Sequence, residues 1–446
     1  MLDLSRLKSE VIKHLLLNLE KVESDSGYSN ISLICPNLDL INLLSYVEGT
    51  PLGYFKSRTG NSEILGIGHV AKFFEIEKEE VEKLLFSNSS LKFFTCMRFN
   101  HEQEPAAEWK AFAGFAFVLP MVSWIKENNN CFLEINFPNA IAKNLEERSN
   151  FIMALEGFLN LSSGFSPLAE TFVFDHHLDT PSRDSWNTTI DTCLDHLEQS
   201  SLDKVVLARK RILNLSSFNA VSYFQKLSSQ SENCFLFFFK LNDGQAFFSI
   251  TPELLFHKVA KNITLDSLAG TRKRGQSSQE DQLLERELKS SKKDLTEHRI
   301  VSREIHDLLV EICESIGTPL MEGILKQRHV QHLHTIFSGI LNEDLGIFEI
   351  IEKIHPTPAV NGYPRRPAKE LIKQLEDFDR GLYAAPIGII SQESCELAVG
   401  IRSALLHDNQ LHIYGGAGII IGSTAEKEWD ETSNKMKNFL ELNEAT

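Results

Sequence analysis

Basic residues are scarce in this chain. Of its 446 residues, 45 are Lys or Arg and 61 are Asp or Glu, for a formal net charge of -16. Binding to a phosphate backbone depends on clustered Lys and Arg, so nucleic acid is not the expected partner. Long apolar runs are also lacking. The most apolar stretch, AFAGFAFVLPMV at 111–122, is too short to span a bilayer and carries a proline. Its aromatics alternate with small residues and predict a buried strand, so no membrane partner is expected. Cysteine is sparse: Cys35, Cys96, Cys131, Cys193, Cys234, Cys313 and Cys395 lie scattered, with no C-x-x-C pair. That excludes a zinc pattern and a disulfide framework. The first residues, MLDLSRLKSEVIKHLLLNLEKVES, read as an amphipathic helix and lack the form of a secretory signal. The expectation is a reduced, cytoplasmic protein. Internal repeats and low-complexity tracts are absent.

What is present is an ordinary globular composition, 42% apolar and 24% charged, in a chain long enough for one large domain or two. Residues 1–190 mix a helix, short strands and polar loops (ESDSGYSN at 23–30, KENNN at 126–130) and carry no chemical motif. Residues 195–440 are denser in motifs. Strands are predicted at 204–213, 234–241, 246–258, 397–406 and 410–415, and helices near 279–316, 367–376 and 425–442. Strands and single helices do not alternate regularly, so an α+β domain built on antiparallel sheets fits better than a doubly wound parallel sheet.

Several stretches look chemical. VVLARKRIL at 205–213 sits directly behind Lys204, which either decorates an edge or does chemistry. In ITPELLFHKV, Glu253 follows a proline and precedes three apolar residues. A carboxyl among such neighbours loses hydration and retains its proton, as a general acid must; the plain alternative is a strand-end glutamate in solvent. In LKSSKKDLTEHRIVSREIHDLL, Asp294, Glu297 and Val301 fall on neighbouring helical turns. A carboxylate there suits Mg²⁺, which takes one or two protein carboxylates with waters and an anionic substrate, or it belongs to a solvated face. In EKEWDETSNKMK, Glu428 and Glu431 share a helical face and Lys435 lies one turn beyond; acidic residues also favour a helix start. YGGAGIIIGS places Gly416, Gly418 and Gly422 one residue off the dinucleotide pattern, with no helix opening inside it. It reads as a carboxylate-binding loop or a tight strand connection. HPTPAVNGYPRRPA at 355–368 predicts a rigid loop that can wall a pocket.

In this order the stretches resemble the chorismate-utilising enzymes, and within them the isochorismate synthases. The resemblance is carried by LDKVVLARK, FFSITPELLF, SLAGTRKRG, LKSSKKDLTEHRIV, VQHLHTIFSG, HPTPAVNGYP, FDRGLYAAPIG, VGIRSALL and YGGAGIIIGSTAEKEWDETSNK. It covers residues 195–440; residues 1–190 match loosely, as the N-terminal portion of the same fold. It implies one large α+β domain of two facing antiparallel sheets covered by helices, with the site between them. It also implies Mg²⁺ and a dianionic substrate, chorismate.

The resemblance assigns Lys204 as the general base that takes a proton from the water attacking carbon 2. To do so the amine must be neutral, which burial or nearby positive charge favours. Glu253 becomes the acid that protonates the hydroxyl leaving carbon 4. Glu297 and Glu431 become Mg²⁺ ligands, with Glu428 close by. Arg402, expected on a strand, would hold the pyruvyl carboxylate with backbone N–H groups near Gly416 and Gly418. Lys435 belongs at the ring carboxylate, and Gly270, Thr271, His332, Thr357 and Tyr414 line the pocket. Arg209 and Arg211 would be structural, on an exposed continuation of the strand.

Other residues discriminate within the family. Ala269 stands where aminodeoxychorismate synthase-like members carry a nucleophilic lysine. Amide-using relatives lack a lysine at the Lys204 position, so water is the expected nucleophile and no glutaminase subunit is expected; a monomer suffices. Ser267 and Ala385 depart from the residues usual at their positions. Salicylate synthases keep Lys204 and go on to eliminate pyruvate, and that alternative stays open. A dinucleotide oxidoreductase would need a proper glycine fingerprint, and a non-catalytic binder would be expected to have lost the base, the acid or a metal carboxylate. The product would enter menaquinone or siderophore synthesis, and the long N-terminal region leans toward menaquinone.

Overall fold

The run CFLFFFKL at 234–241 shows no polar alternation, which in an antiparallel sheet requires both faces to be covered. A computed structural model, describing residues 4–24, 26–128, 130–160, 174–216, 218–342 and 345–442, shows how this is met. Asp25 and Asn129, within the two polar loops named above, fall outside the described residues. In the strand Phe235–Asn242, Phe235, Phe237 and Phe239 enter a core shared by two sheets. Leu236 and Phe238 enter a second core beneath helices Leu4–Leu19, Ala220–Ser229 and Ala425–Leu440. The next strand, Gln245–Thr251, repeats the division, with Phe247 inward and Phe248 outward. Two covered faces per strand leave little room for polar residues, which explains the phenylalanine-rich sequence.

The larger sheet has 12 strands and the smaller 10, and every pairing among the described residues is antiparallel. The centre of the larger sheet runs Leu52–Lys56, Phe235–Asn242, Gln245–Thr251, Ser403–His407, Gln410–Ile419 and Lys204–Leu215. The smaller runs through Val330–Leu341, Asn262–Lys273, Leu254–Val259, Ser394–Val399 and Pro386–Ile390. Strands from the first 190 residues extend both sheets: Tyr28–Cys35 and Asn130–Pro138 edge the larger, Phe93–Cys96 and Phe117–Leu119 the smaller. A third core packs helices Arg183–Gln199 and Arg365–Leu375 against Val205, Leu207, Ala417 and Ile419.

The α+β architecture of two facing antiparallel sheets covered by helices is as expected, but several elements are cut where the sequence suggested continuity. The expected strand 246–258 breaks at Pro252–Glu253, since proline cannot donate to a ladder. The expected strand 397–406 breaks between Val399 and Ser403, so Arg402 lies in a turn with φ of 47°. The long helix is two, Ser278–Ser290 and Lys292–Ile312, with Ser291 capping the second, and residues 313–316 form a strand. Of 111–122, only Phe117–Leu119 and the first residue of Val122–Glu127 are strand. The strand expected at 410–415 runs on to Ile419, so Gly416 and Gly418 lie in a strand and not in a loop.

Arg209 is buried, not exposed. Its guanidinium lies 3.7 Å from the Trp429 ring centroid and bonds Asp179 Oδ1 at 2.9 Å, so the charge is paired and stacked. Cys35 and Cys131, far apart in sequence, face each other across neighbouring strands with sulfurs 3.3 Å apart.

Phe247 sits between the sheets against Trp109 and Phe237, with ring centroids 5.9 Å and 6.4 Å away. Phe247→Ala should therefore cost about 3–5 kcal/mol in urea-induced unfolding. Ile76→Ala, at a side chain 89% exposed, should stay within about 0.5 kcal/mol of the parent.

Candidate active site

The strand breaks that interrupt the sheets supply the site. A cleft lies where the inner strands of the two sheets meet helices Lys292–Ile312 and Ala425–Leu440. Glu253 enters it from the break after Pro252. The Glu253 carbonyl accepts from Val399 N at 3.0 Å and its amide donates to Thr251 Oγ1 at 3.2 Å, which fixes the turn. The side chain is fully enclosed. Burial pushes its carboxyl up to about 8, aided by the Asp266 anion and opposed by Lys204, Lys435 and Arg402. A carboxyl held protonated in the neutral range can donate a proton, as the apolar neighbours in its sequence suggested.

Lys204, the first residue of its strand, points from the larger sheet toward helix Lys292–Ile312. Its ammonium lies 2.9 Å from Glu297 Oε1, and the lysine side chain is 1% exposed. Burial alone would raise the Glu297 carboxyl, but Lys204, Lys435 and Lys293 outweigh it and hold it below the usual range. This arrangement explains Gly418. A Cβ there would fall 2.6 Å from Glu297 Oε1 and 2.7 Å from Lys204 Cε, so glycine lets strand Gln410–Ile419 pass beneath the ion pair without displacing it. Gly416 is constrained likewise, because a Cβ there would meet the Tyr383 hydroxyl at 2.7 Å.

Arg402, buried in its turn, donates from Nη2 to His332 Nε2 at 3.2 Å. That nitrogen must accept, so the other, Nδ1, carries the proton and donates to Thr271 Oγ1 at 3.0 Å. Burial first, then the Arg402 charge, hold His332 well below its usual value, in keeping with a neutral ring. The Arg402–His332–Thr271 chain thus presents a fixed cation to the cleft; burial lowers the guanidinium to about 10. Lys435 Nζ donates to the Gly416 carbonyl at 2.9 Å and pairs with Glu431 at 2.7 Å.

Of the site residues read from sequence, Glu253, Gly270, Thr271, Glu297, His332, Arg402, Tyr414, Gly416, Gly418 and Lys435 line this cleft. Lys204 adjoins it through Glu297 and Gly418. Three more do not line it. Thr357 stands behind the wall, where its carbonyl accepts from the amides of Val360 and Asn361. Glu431 is turned to Lys435, and Glu428 pairs with Lys293 at 2.6 Å. Tyr383 was missed. It lines the cleft and stacks on Tyr414 with centroids 5.3 Å apart. The motif FDRGLYAAPIG contained it, but nothing in the spacing marked an aromatic as a site residue.

Glu297, Glu428 and Glu431 all act on the ammonium of Lys293, so a cation already sits among them. Their donors are carboxylate oxygens, which suit a hard divalent ion. Among the described residues no three His, Cys, Asp or Glu groups form a closed metal cage.

Comparison with known proteins gives one family. Residues 14–442 match the model of the chorismate binding enzymes. An isochorismate synthase from chloroplasts of Catharanthus roseus is 32% identical over 81% of this chain, which spans 64% of that protein's length. The isochorismate synthase MenF of Bacillus subtilis is 30% identical, covering 81% of this chain and 76% of its own. The solved structure of MenF from Escherichia coli superposes with a TM-score of 0.82 at 24% identity, covering 97% of this chain and 100% of that one, which establishes the fold.

The closeness of Gly418 to the ion pair predicts that Gly418→Ala displaces Lys204 and Glu297. Turnover should fall on the order of 10²-fold, the effect of a misplacement of about 1 Å. Far-ultraviolet circular dichroism should remain that of the parent, which separates displacement from unfolding.

Proposed function

The chain belongs to the chorismate-binding enzymes, and we propose that within them it is an isochorismate synthase, converting chorismate to isochorismate. The observation that carries this reading is a cleft lined by an enclosed Glu253, whose carboxyl is pushed up by burial, and adjoined through Glu297 by a buried Lys204. A 1,5-type displacement around a ring needs a base where water enters and an acid where hydroxyl departs. Lys204 takes a proton from water as its oxygen bonds to carbon 2. The ring double bonds shift, the carbon 4–oxygen bond breaks, and Glu253 gives its proton to the departing hydroxyl. One water enters and one leaves, so the reaction is an isomerisation. The Glu297 carboxylate beside it favours the ammonium, so Lys204 must first give up its proton and enter the step as the free amine.

Substrate charge is met by Arg402, held by His332, at the pyruvyl carboxylate and by Lys435 at the ring carboxylate. Mg²⁺ would be held by Glu297 with Glu431, and Glu428 close by; when bound it neutralises the ring carboxylate. Ala269 at the cleft wall supports water over a covalent lysine route. No described helix is long and apolar enough to cross a membrane, in keeping with a cytoplasmic enzyme. Nothing in the reaction requires ammonia, so we assign no glutaminase partner and a monomer as the working unit. The product would enter menaquinone or siderophore synthesis, and the N-terminal portion that completes both sheets favours menaquinone.

The direct test is incubation of the protein with chorismate and Mg²⁺, with products separated by chromatography. Isochorismate in equilibrium with chorismate, without pyruvate, is expected. Salicylate with stoichiometric pyruvate would make it a salicylate synthase instead. Lys204→Ala should abolish turnover, and Glu253→Gln should lower kcat by about 10²–10⁴-fold. The acid must be protonated to act, so kcat should fall as pH rises through about 8, and this limb should vanish in Glu253→Gln.

A further inference from the structure

Outside the cleft, one buried ionic group has no part in the chemistry above. Asp266, on strand Asn262–Lys273, is completely enclosed. It pairs on one side with Arg58, from the turn between strands Leu52–Lys56 and Ser62–Ile67 of the opposite sheet. On the other side His334 Nε2 lies 3.2 Å from Asp266 Oδ1. The same Arg58 donates from Nη1 to the carbonyl of Pro252 at 2.8 Å, the residue that precedes Glu253. Phe235 lies under the guanidinium, 5.4 Å from its centroid. One arginine therefore ties the turn carrying Glu253 to a buried anion on the neighbouring strand.

We propose that Asp266, gripped by Arg58 and His334, is a positioning residue for Glu253: it fixes the turn that carries the acid and supplies the negative field that keeps the acid protonated. Burial of a charge costs several kcal/mol unless it is paired, and a neutral residue of the same shape would avoid that cost. Asp266 nonetheless remains an anion, because His334 and Arg58 outweigh burial and hold its carboxyl below the usual range. Other charges face Glu253 from Lys204 on its strand, Lys435 on helix Ala425–Leu440 and Arg402 in its turn, and Tyr383 adjoins it. The three cations favour the ionised acid, so Asp266 is the carboxylate that opposes them. It does not line the cleft and touches no substrate position.

This inference rests on Glu253 being the general acid, and the test separates the two. The pH dependence of kcat would be measured with chorismate and Mg²⁺ for the parent, Asp266→Asn, Asp266→Glu, Arg58→Lys and Glu253→Gln. Removing the anion makes Glu253 easier to ionise, so in Asp266→Asn the alkaline limb should move down by about one pH unit. At the midpoint of the parent's limb, kcat should fall about fivefold, approaching tenfold at higher pH, while KM stays within about twofold because substrate contacts are intact. Asp266→Glu should keep the limb in place. Arg58→Lys, which keeps the charge but loses the fork that reaches both partners, should lower kcat without moving the limb. Should Asp266→Asn fold poorly, Asp266→Ser gives the same neutral comparison. A limb that vanishes in Glu253→Gln yet stays unmoved in Asp266→Asn overturns the role of Asp266 and leaves only a staple between sheets. A limb that persists in Glu253→Gln overturns the general-acid assignment itself, and the inference with it.

Discussion

The ion pair between Lys204 and Glu297 is the contact around which this structure is arranged. Lys204 comes from the larger sheet, and Glu297 from the helix that packs on the smaller one. The two charges meet at 2.9 Å, with the lysine side chain 1% and the glutamate side chain 16% exposed. Such a pair adds little net stability, because desolvation offsets most of the attraction. Its neighbours are nevertheless shaped to accommodate it. Gly418 leaves space under it, and Lys293 and Lys435 supply further positive charge to Glu297. A pair kept at such cost is better explained by the use made of its members than by the stability of the fold.

The rest of the cleft solves a charge problem. An acidic protein that binds a dianion needs local cations, yet fixed cations beside Glu253 would pull off its proton. The structure separates these demands. Arg402 is oriented through a neutral His332 and Thr271, and Lys435 is held by Glu431 and a backbone carbonyl. Burial and the Asp266 anion keep Glu253 protonated against both. Each group is stabilised from behind by a different element, so no single segment carries the site.

Much of this was legible in the chain. Runs such as CFLFFFKL indicated strands, and the final helix, expected near 425–442, was marked by its acidic start. Glu253 was recognisable because its apolar neighbours predict lost hydration, and burial is indeed the leading cause of its shift. The errors have a common origin. Strands 246–258 and 397–406 were read through their breaks because local β propensity does not register a turn imposed by packing. Those breaks are where Glu253 and Arg402 sit. Arg209 was placed in solvent because a run of basic residues ordinarily is; only the fold brings Trp429 and Asp179 to it.

The sequence by itself determined the class of fold, most of the central strands and the residue types able to donate, accept or hold charge, since these depend on hydrophobic pattern and local chemistry. Only the tertiary structure decided which of them meet. Lys204 and Glu297 are more than 90 residues apart, Arg402 and His332 are 70 apart, and Arg58 reaches Asp266 across 208. Contacts of that separation are set by how two twisted sheets stack, and a linear pattern carries no record of them.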